Sequence, residues 1–178
     1  MLEIGDTIPA GIAQKFPEGL KKPALIVWLR HFGCRFYQEA KLLLPHMKEE
    51  LNKNNAELVC VVQGTEEEAS RFWPFTDIKV IADPEKETYK LANLGRTTLR
   101  KIFFPTQDLK QRRVSVTNMG CSMNRAGTKS AGSDILQLPG AILINQTGKI
   151  LWIHRSKHTG DLDLGEATIQ KVTGIIKK

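Results

Sequence analysis

Ala24 to Arg30 (ALIVWLR) is an almost unbroken apolar run of strand length, entered through Pro23. Such a run reads as a strand buried on both faces, and so as a central one. From Cys34 to about Asn52 the period changes. Phe36, Ala40, Leu43, Leu44, Met47 and Leu51 recur at spacings of three and four, which predicts a helix with one buried stripe. Pro45 inside that stripe is expected to bend it, because proline removes a backbone donor and crowds the preceding turn. Glu57 to Val62 (ELVCVV) predicts a second strand, and Thr65 followed by Glu68 is a capping-box signature opening a short helix through Phe72. Ile78 to Ala82 predicts a third strand, followed by a helix through Leu94 with Asp83 as cap and Pro84 at its first position. Three strand–helix steps in succession imply parallel strands with helices packed on their faces.

Gly95 to Gln137 breaks this rhythm. It is polar, basic and rich in small residues, with only IFF and VSV as apolar pieces, and it reads as an inserted loop region that covers a site or moves. Beyond it, Ala141–Asn145 and Lys149–His154 are two strands joined through Gln146, Thr147 and Gly148, an antiparallel hairpin. A helix from Glu166 to about Ile176 closes the pattern. The expected class is α/β, a central mixed sheet flanked by helices, with residues 1–178 forming a single domain and the insertion at about 95–137. The length of 178 residues suits one domain.

Charge changes the picture in one place. The formal net charge is +7, and between Arg96 and Lys129 eight Lys or Arg face Asp108 alone, so this one segment accounts for the excess. Such a stretch suits a solvated surface, an acidic ligand or an acidic partner. The aromatic and zinc motifs of nucleic-acid-binding folds do not occur. No run approaches the roughly 18 apolar residues of a membrane span, and the first residues lack a secretory pattern, so a cytoplasmic protein is expected. Cys34, Cys60 and Cys121 are too few for a disulfide scaffold and favour a reducing compartment.

Cys34 is the residue with the clearest chemical promise. It follows the buried strand and stands at the first turn of a predicted helix, where unpaired amides and the helix dipole favour a thiolate. Arg35, and also His31 or Arg30, would add positive potential. Cys60, inside a strand, reads as core. Cys121, in the basic insertion, is a candidate resolving thiol. Pro139 starts a strand, where its missing donor is tolerated. The four histidines show no ligand spacing with the cysteines, there is no Gly-rich phosphate loop, and Trp28, Trp73 and Trp152 lie on apolar runs as core residues.

Two segments, Leu29–Glu39 (LRHFGCRFYQE) and Leu136–Ser156 (LQLPGAILINQTGKILWIHRS), together with the order of elements, resemble the thioredoxin-like superfamily and within it the peroxiredoxin-like alkyl hydroperoxide reductase C and thiol-specific antioxidant group. The resemblance implies a thiol-dependent oxidoreductase in which Cys34 reduces a peroxide or a disulfide with a thiol reductant and no dissociable cofactor. In that scheme Arg35 stabilises the thiolate, His31 donates a proton and Leu138–Pro139 present backbone to the substrate. The chain departs from the family twice. Tyr37 stands where many relatives carry a second cysteine, and Val27 and His31 stand at the Pro and Thr of a P-x-x-x-T-x-x-C pattern. The alternative reading is a redox-inactive binding module docking through the basic insertion. A third is an enzyme for acidic organic peroxides that uses the same basic segment as a funnel.

Overall fold

The computed structural model describes residues 1–16 and 21–178. In chain order the elements are α1 (Ala10–Ala13), β1 (Ala24–Trp28), α2 (Arg35–Lys53), β2 (Glu57–Val62), α3 (Glu66–Phe72), β3 (Lys79–Ala82), α4 (Glu87–Leu91), α5 (Leu99–Phe103), α6 (Gln107–Asn118), α7 (Arg125–Thr128), β4 (Gly140–Ile144), β5 (Ile150–Arg155) and α8 (Glu166–Ile176). The strands form one mixed sheet in the order β3-β2-β1-β4-β5. β1, β2 and β3 run parallel, whereas β4 pairs antiparallel with both β1 and β5. The expected central strand is thus the middle one, and all five of its residues are buried.

Alternation along β1 divides the core. Leu25 and Val27 face one side, where Leu44, Met47 and Leu51 of α2 and Ile169 and Val172 of α8 cover them. Ala24, Ile26 and Trp28 face the other, packed with Ile12 of α1 and Tyr89 of α4. The Tyr89 hydroxyl donates to the carbonyl of Leu29 at 2.6 Å, tying α4 to the end of β1.

The predicted capping box is complete: Thr65 Oγ1 accepts from the Glu68 amide, and the Glu68 carboxylate accepts from the Thr65 amide. α2 carries Pro45 inside it and continues unbroken to Lys53. The helix after β3 starts later than predicted. Lys86, with φ 57°, is its N-cap, and Pro84 lies in the preceding turn. Asp83 still serves the helix, because its carboxylate accepts from the amides of Glu87 and Thr88 and from the Thr88 hydroxyl.

The main correction concerns residues 95–137. They are not a loop: α5, α6 and α7 lie there. Each begins at a side-chain cap, Thr98, Thr106 and Asn124 respectively. The segment leaves and returns through a short stem, in which the Thr97 amide donates to the Leu136 carbonyl and the Leu138 amide to the Gly95 carbonyl. α6 is held to α2 by Arg112, whose Nη2 donates to both oxygens of Glu39 at 2.6 and 2.7 Å. Burial pushes the Glu39 carboxyl up, against the downward pull of Arg112.

Arg112→Leu leaves that buried carboxylate without its cation and is expected to cost about 3 kcal/mol in urea unfolding. Adding Glu39→Gln should recover part of the loss; an undiminished loss in the double variant would show that the pair is not what couples α6 to α2.

Candidate active site

The chain leaves β1 through Leu29, turns at residues 30–33 and enters α2 at Cys34, which is the N-cap. The turn is closed by the Cys34 amide donating to the His31 carbonyl at 2.9 Å, while the Cys34 carbonyl accepts from Tyr37 and Gln38. Gly33 is required by close approach. A Cβ there would stand 2.0 Å from Thr128 Oγ1, and one on Gly127 would stand 2.6 Å from the Gly33 nitrogen. α7 therefore lies directly on the cysteine turn, fixed by the Asn124 amide donating to the Gly33 carbonyl at 3.0 Å.

The cation on the sulfur is Arg30. Its Nη1 donates to Cys34 Sγ at 3.0 Å, its Nε donates to the Gln137 carbonyl and its Nη2 to the Ile135 carbonyl. Cys34 is 2% exposed and Arg30 is buried with it. Arg35, expected on the sulfur, instead donates to Thr117 Oγ1 of α6 at 2.8 Å. Arg30, His31, Cys34 and Arg35 nonetheless line one cleft of about 410 Å³, with Phe36, Ile102, Phe103, Arg113, Met123, Thr128, Ile135 and Thr159. That volume lies within the usual range for small-molecule sites.

His31 is 1% exposed, and its Nδ1 is buried without a partner. Burial, and then the charge of Arg30, lower its pKa to about 3. Burial therefore works against both the positive potential and the proton donation expected of this ring. Leu138 and Pro139 close the return stem. The Leu138 amide donates to Gly95 O, its carbonyl accepts from Gln137 Nε2, and no peptide bond among the described residues is cis.

The three thiols are free. Cys60 is fully buried in β2, and burial raises its pKa. Cys121 follows α6 and lines a different cavity, beside Gln38, Lys41 and Met119, with Met123 lining both that cavity and the cleft of Cys34. Burial pushes its thiol up as well. Tyr37 fills core space, its hydroxyl donating to the Phe72 carbonyl and its ring edge-on to Phe32. Sequence reasoning gave Arg30 only a minor place and missed Arg113. The available signal was a charged residue closing an otherwise apolar strand, which is rarely buried without a specific partner.

The His31 setting has a measurable consequence. Between pH 6.5 and about 3 the unfolded chain binds a proton at His31 that the folded chain excludes. The associated stability is complete above pH 6.5 and lost as pH falls toward 3, with a slope of up to about 1.4 kcal/mol per pH unit. Urea titrations of wild type and His31→Gln across this window should show a shallower acid dependence in the variant. Parallel curves would mean that His31 titrates alike in both states.

Comparison with known proteins agrees with this architecture. Residues 43–158 match the family described as AhpC/TSA antioxidant enzyme, a span that begins inside α2, beyond Cys34. Among curated proteins there is no match. Among solved structures, the chain is similar to peroxidoxin BcpB from Mycobacterium tuberculosis (TM-score 0.59, 12% identity, 99% of this chain and 97% of that one). It is similar to a thiol peroxidase from Chromobacterium violaceum (TM-score 0.54, 16% identity, 100% and 90%). It is also similar to a candidate thiol:disulfide interchange protein DsbE from Chlorobium tepidum (TM-score 0.60, 15% identity, 99% and 99%). The fold is thioredoxin-like, and with the matched span covering more than half of its length, the chain belongs to the AhpC/TSA antioxidant enzyme family.

Proposed function

We propose that this protein is a thiol-dependent peroxide reductase with Cys34 as its nucleophile. The observation that carries the reading is the Arg30 guanidinium on Cys34 Sγ, in a cleft with room for a small ligand. Family membership supports thiol redox chemistry but does not choose between peroxide and disulfide. Burial favours peroxide, because a sulfur on a residue 2% exposed can be reached by a small oxidant more readily than by a disulfide on a protein surface.

In the reaction the Cys34 thiolate attacks the distal oxygen of the peroxide. An S–O bond forms and the O–O bond breaks, oxidising the sulfur by two electrons to a sulfenic acid. The leaving oxygen takes a proton from solvent and departs as an alcohol or water. A thiol reductant then attacks the sulfenic sulfur, releasing water and leaving a mixed disulfide. A second thiol cleaves it and restores Cys34. Arg30 lies where its charge offsets the negative charge that builds as the O–O bond breaks. His31 contributes a neutral ring, and Arg35 a cation on the cleft wall.

Mass spectrometry after one equivalent of hydrogen peroxide, with a sulfenic-acid trap present, should place the adduct on Cys34 in wild type and Cys121→Ser and nowhere in Cys34→Ser. A Cys34 that stays reduced in folded protein would sink the peroxide reading and leave disulfide exchange or a binding module. Arg30→Gln should slow peroxide consumption on the order of 10²-fold, and Arg30→Lys, which keeps the charge for folding, should lose less.

A further inference from the structure

α5 contributes nothing to the core. None of its five residues is buried, and it is held through its backbone: the Thr98 hydroxyl accepts from the Lys101 amide, and the Ile102 carbonyl accepts from Arg113 of α6 at 3.0 Å. Leu99 and Phe103, four residues apart and so on one face of the helix, are 52% and 72% exposed. Phe104, the next residue, is 79% exposed. Pro105 and the Thr106 cap then turn the chain directly into α6, so the aromatic pair stands on a corner of fixed shape. A single exposed apolar residue such as Leu42 is ordinary. Two adjacent phenylalanines with a leucine one turn away form a patch, and a patch that the fold leaves uncovered marks a contact surface.

The charge beside this patch has one sign. Arg100 and Lys101 are exposed on the same short helix, and among the described residues neither is in an ion pair. Acidic groups of the segment and its return are engaged elsewhere: Asp108 lies 2.7 Å from His158, and Asp134 is paired with Arg96. An aromatic tip flanked by unpaired cations is complementary to an anionic bilayer, which takes apolar side chains below its headgroups and cations among its phosphates. A second copy of the chain is a poorer occupant, because Arg100 and Lys101 would meet their own counterparts. A stable protein interface engages roughly 20 to 30 residues a side, and this tip offers only Leu99, Arg100, Lys101, Phe103 and Phe104. A lipid surface sets no such minimum and needs no matching shape. No helix among the described residues is long and apolar enough to cross a membrane, so the contact is interfacial.

We propose that the α5 corner docks on an anionic lipid bilayer, with Phe103, Phe104 and Leu99 entering the boundary between headgroups and acyl chains while Arg100 and Lys101 lie among the phosphates. This docking is independent of the chemistry assigned to Cys34. The Thr98 cap, Pro105 and the Arg113 bond to Ile102 already order the corner, so little conformational freedom is lost on binding. The test is co-sedimentation of the chain with phosphatidylcholine vesicles, pure or mixed with phosphatidylglycerol. Partition onto the mixed vesicles should be stronger on the order of tenfold, and the difference should shrink as salt is raised. Phe103→Ser/Phe104→Ser should weaken binding to the mixed vesicles about tenfold. Arg100→Gln/Lys101→Gln should remove most of the preference for them. Leu42→Ser, at a similarly exposed apolar position on α2, should bind as wild type does. All five substituted side chains are exposed, and urea midpoints close to that of wild type would show that each variant keeps the fold.

A second readout places the tip itself. In Phe104→Trp, mixed vesicles should shift the added indole emission to the blue, as entry into an apolar layer requires. Wild type that stays in solution with mixed vesicles overturns the proposal, and so does binding that survives both double variants. Binding equal on pure and mixed vesicles would remove the role given to Arg100 and Lys101 and overturn it as well. A dimer in sedimentation velocity that Phe103→Ser/Phe104→Ser dissolves, without vesicle binding, would assign the tip to a second copy of the chain instead.

Discussion

The Arg30 side chain joins the two parts of this fold that sequence order separates. It leaves the backbone just beyond the central strand, where sheet pairing on both sides fixes the chain, and its guanidinium reaches the carbonyls of residues 135 and 137 as well as the sulfur of Cys34. A buried guanidinium must have its donors met. Here they are met by the returning arm of residues 95–137 and by the Cys34 sulfur itself. The position of the charge at the sulfur therefore depends on the stem that pairs residues 95–97 with 136–138, although that stem lies far from Cys34 along the chain.

The same dependence recurs in packing. Gly33 and Gly127 approach so closely that neither has room for a Cβ, and Asn124 donates to the Gly33 carbonyl. Arg112 holds α6 to Glu39 of α2, and its guanidinium lies over the ring of Phe36 at 5.8 Å. The basic segment is thus a wall of the site rather than an appendage. Of its eight cationic residues Arg113 lines the cleft, and the short α5 contributes Ile102 and the exposed Phe103 to the same wall.

What was legible follows from periodicity. β1, β2, the hairpin and α8 could be read because each buries a regular set of apolar positions, and α2 because its stripe repeats over five turns. α6 was not legible for the opposite reason: only Leu109 and Val116 of its twelve residues are buried, too sparse a stripe to stand out. The signal that was present lay in the caps. Thr98, Thr106 and Asn124 each accept from an amide two or three residues on, and three such residues before short polar stretches are a helix signature without amphipathicity. The site was half legible. The place of Cys34 between strand and helix could be read, whereas which of Arg30, His31 and Arg35 meets its sulfur could not. Their directions are set by the turn, by burial that keeps His31 neutral, and by Thr117 of a helix not foreseen.

Tyr37 narrows the chemistry further. Its ring and hydroxyl are built into the core against Phe32 and Phe72, so the position offers packing where a second thiol would offer exchange. Cys121 sits in a different setting. Its amide is tied to the Val116 carbonyl, its side chain is 4% exposed, and it faces another cavity. That amide hydrogen bond fastens Cys121 to the end of α6, the helix whose Arg112 is clamped to Glu39. Val116, whose carbonyl takes that bond, is itself fully buried, so the end of α6 is packed as well as tied.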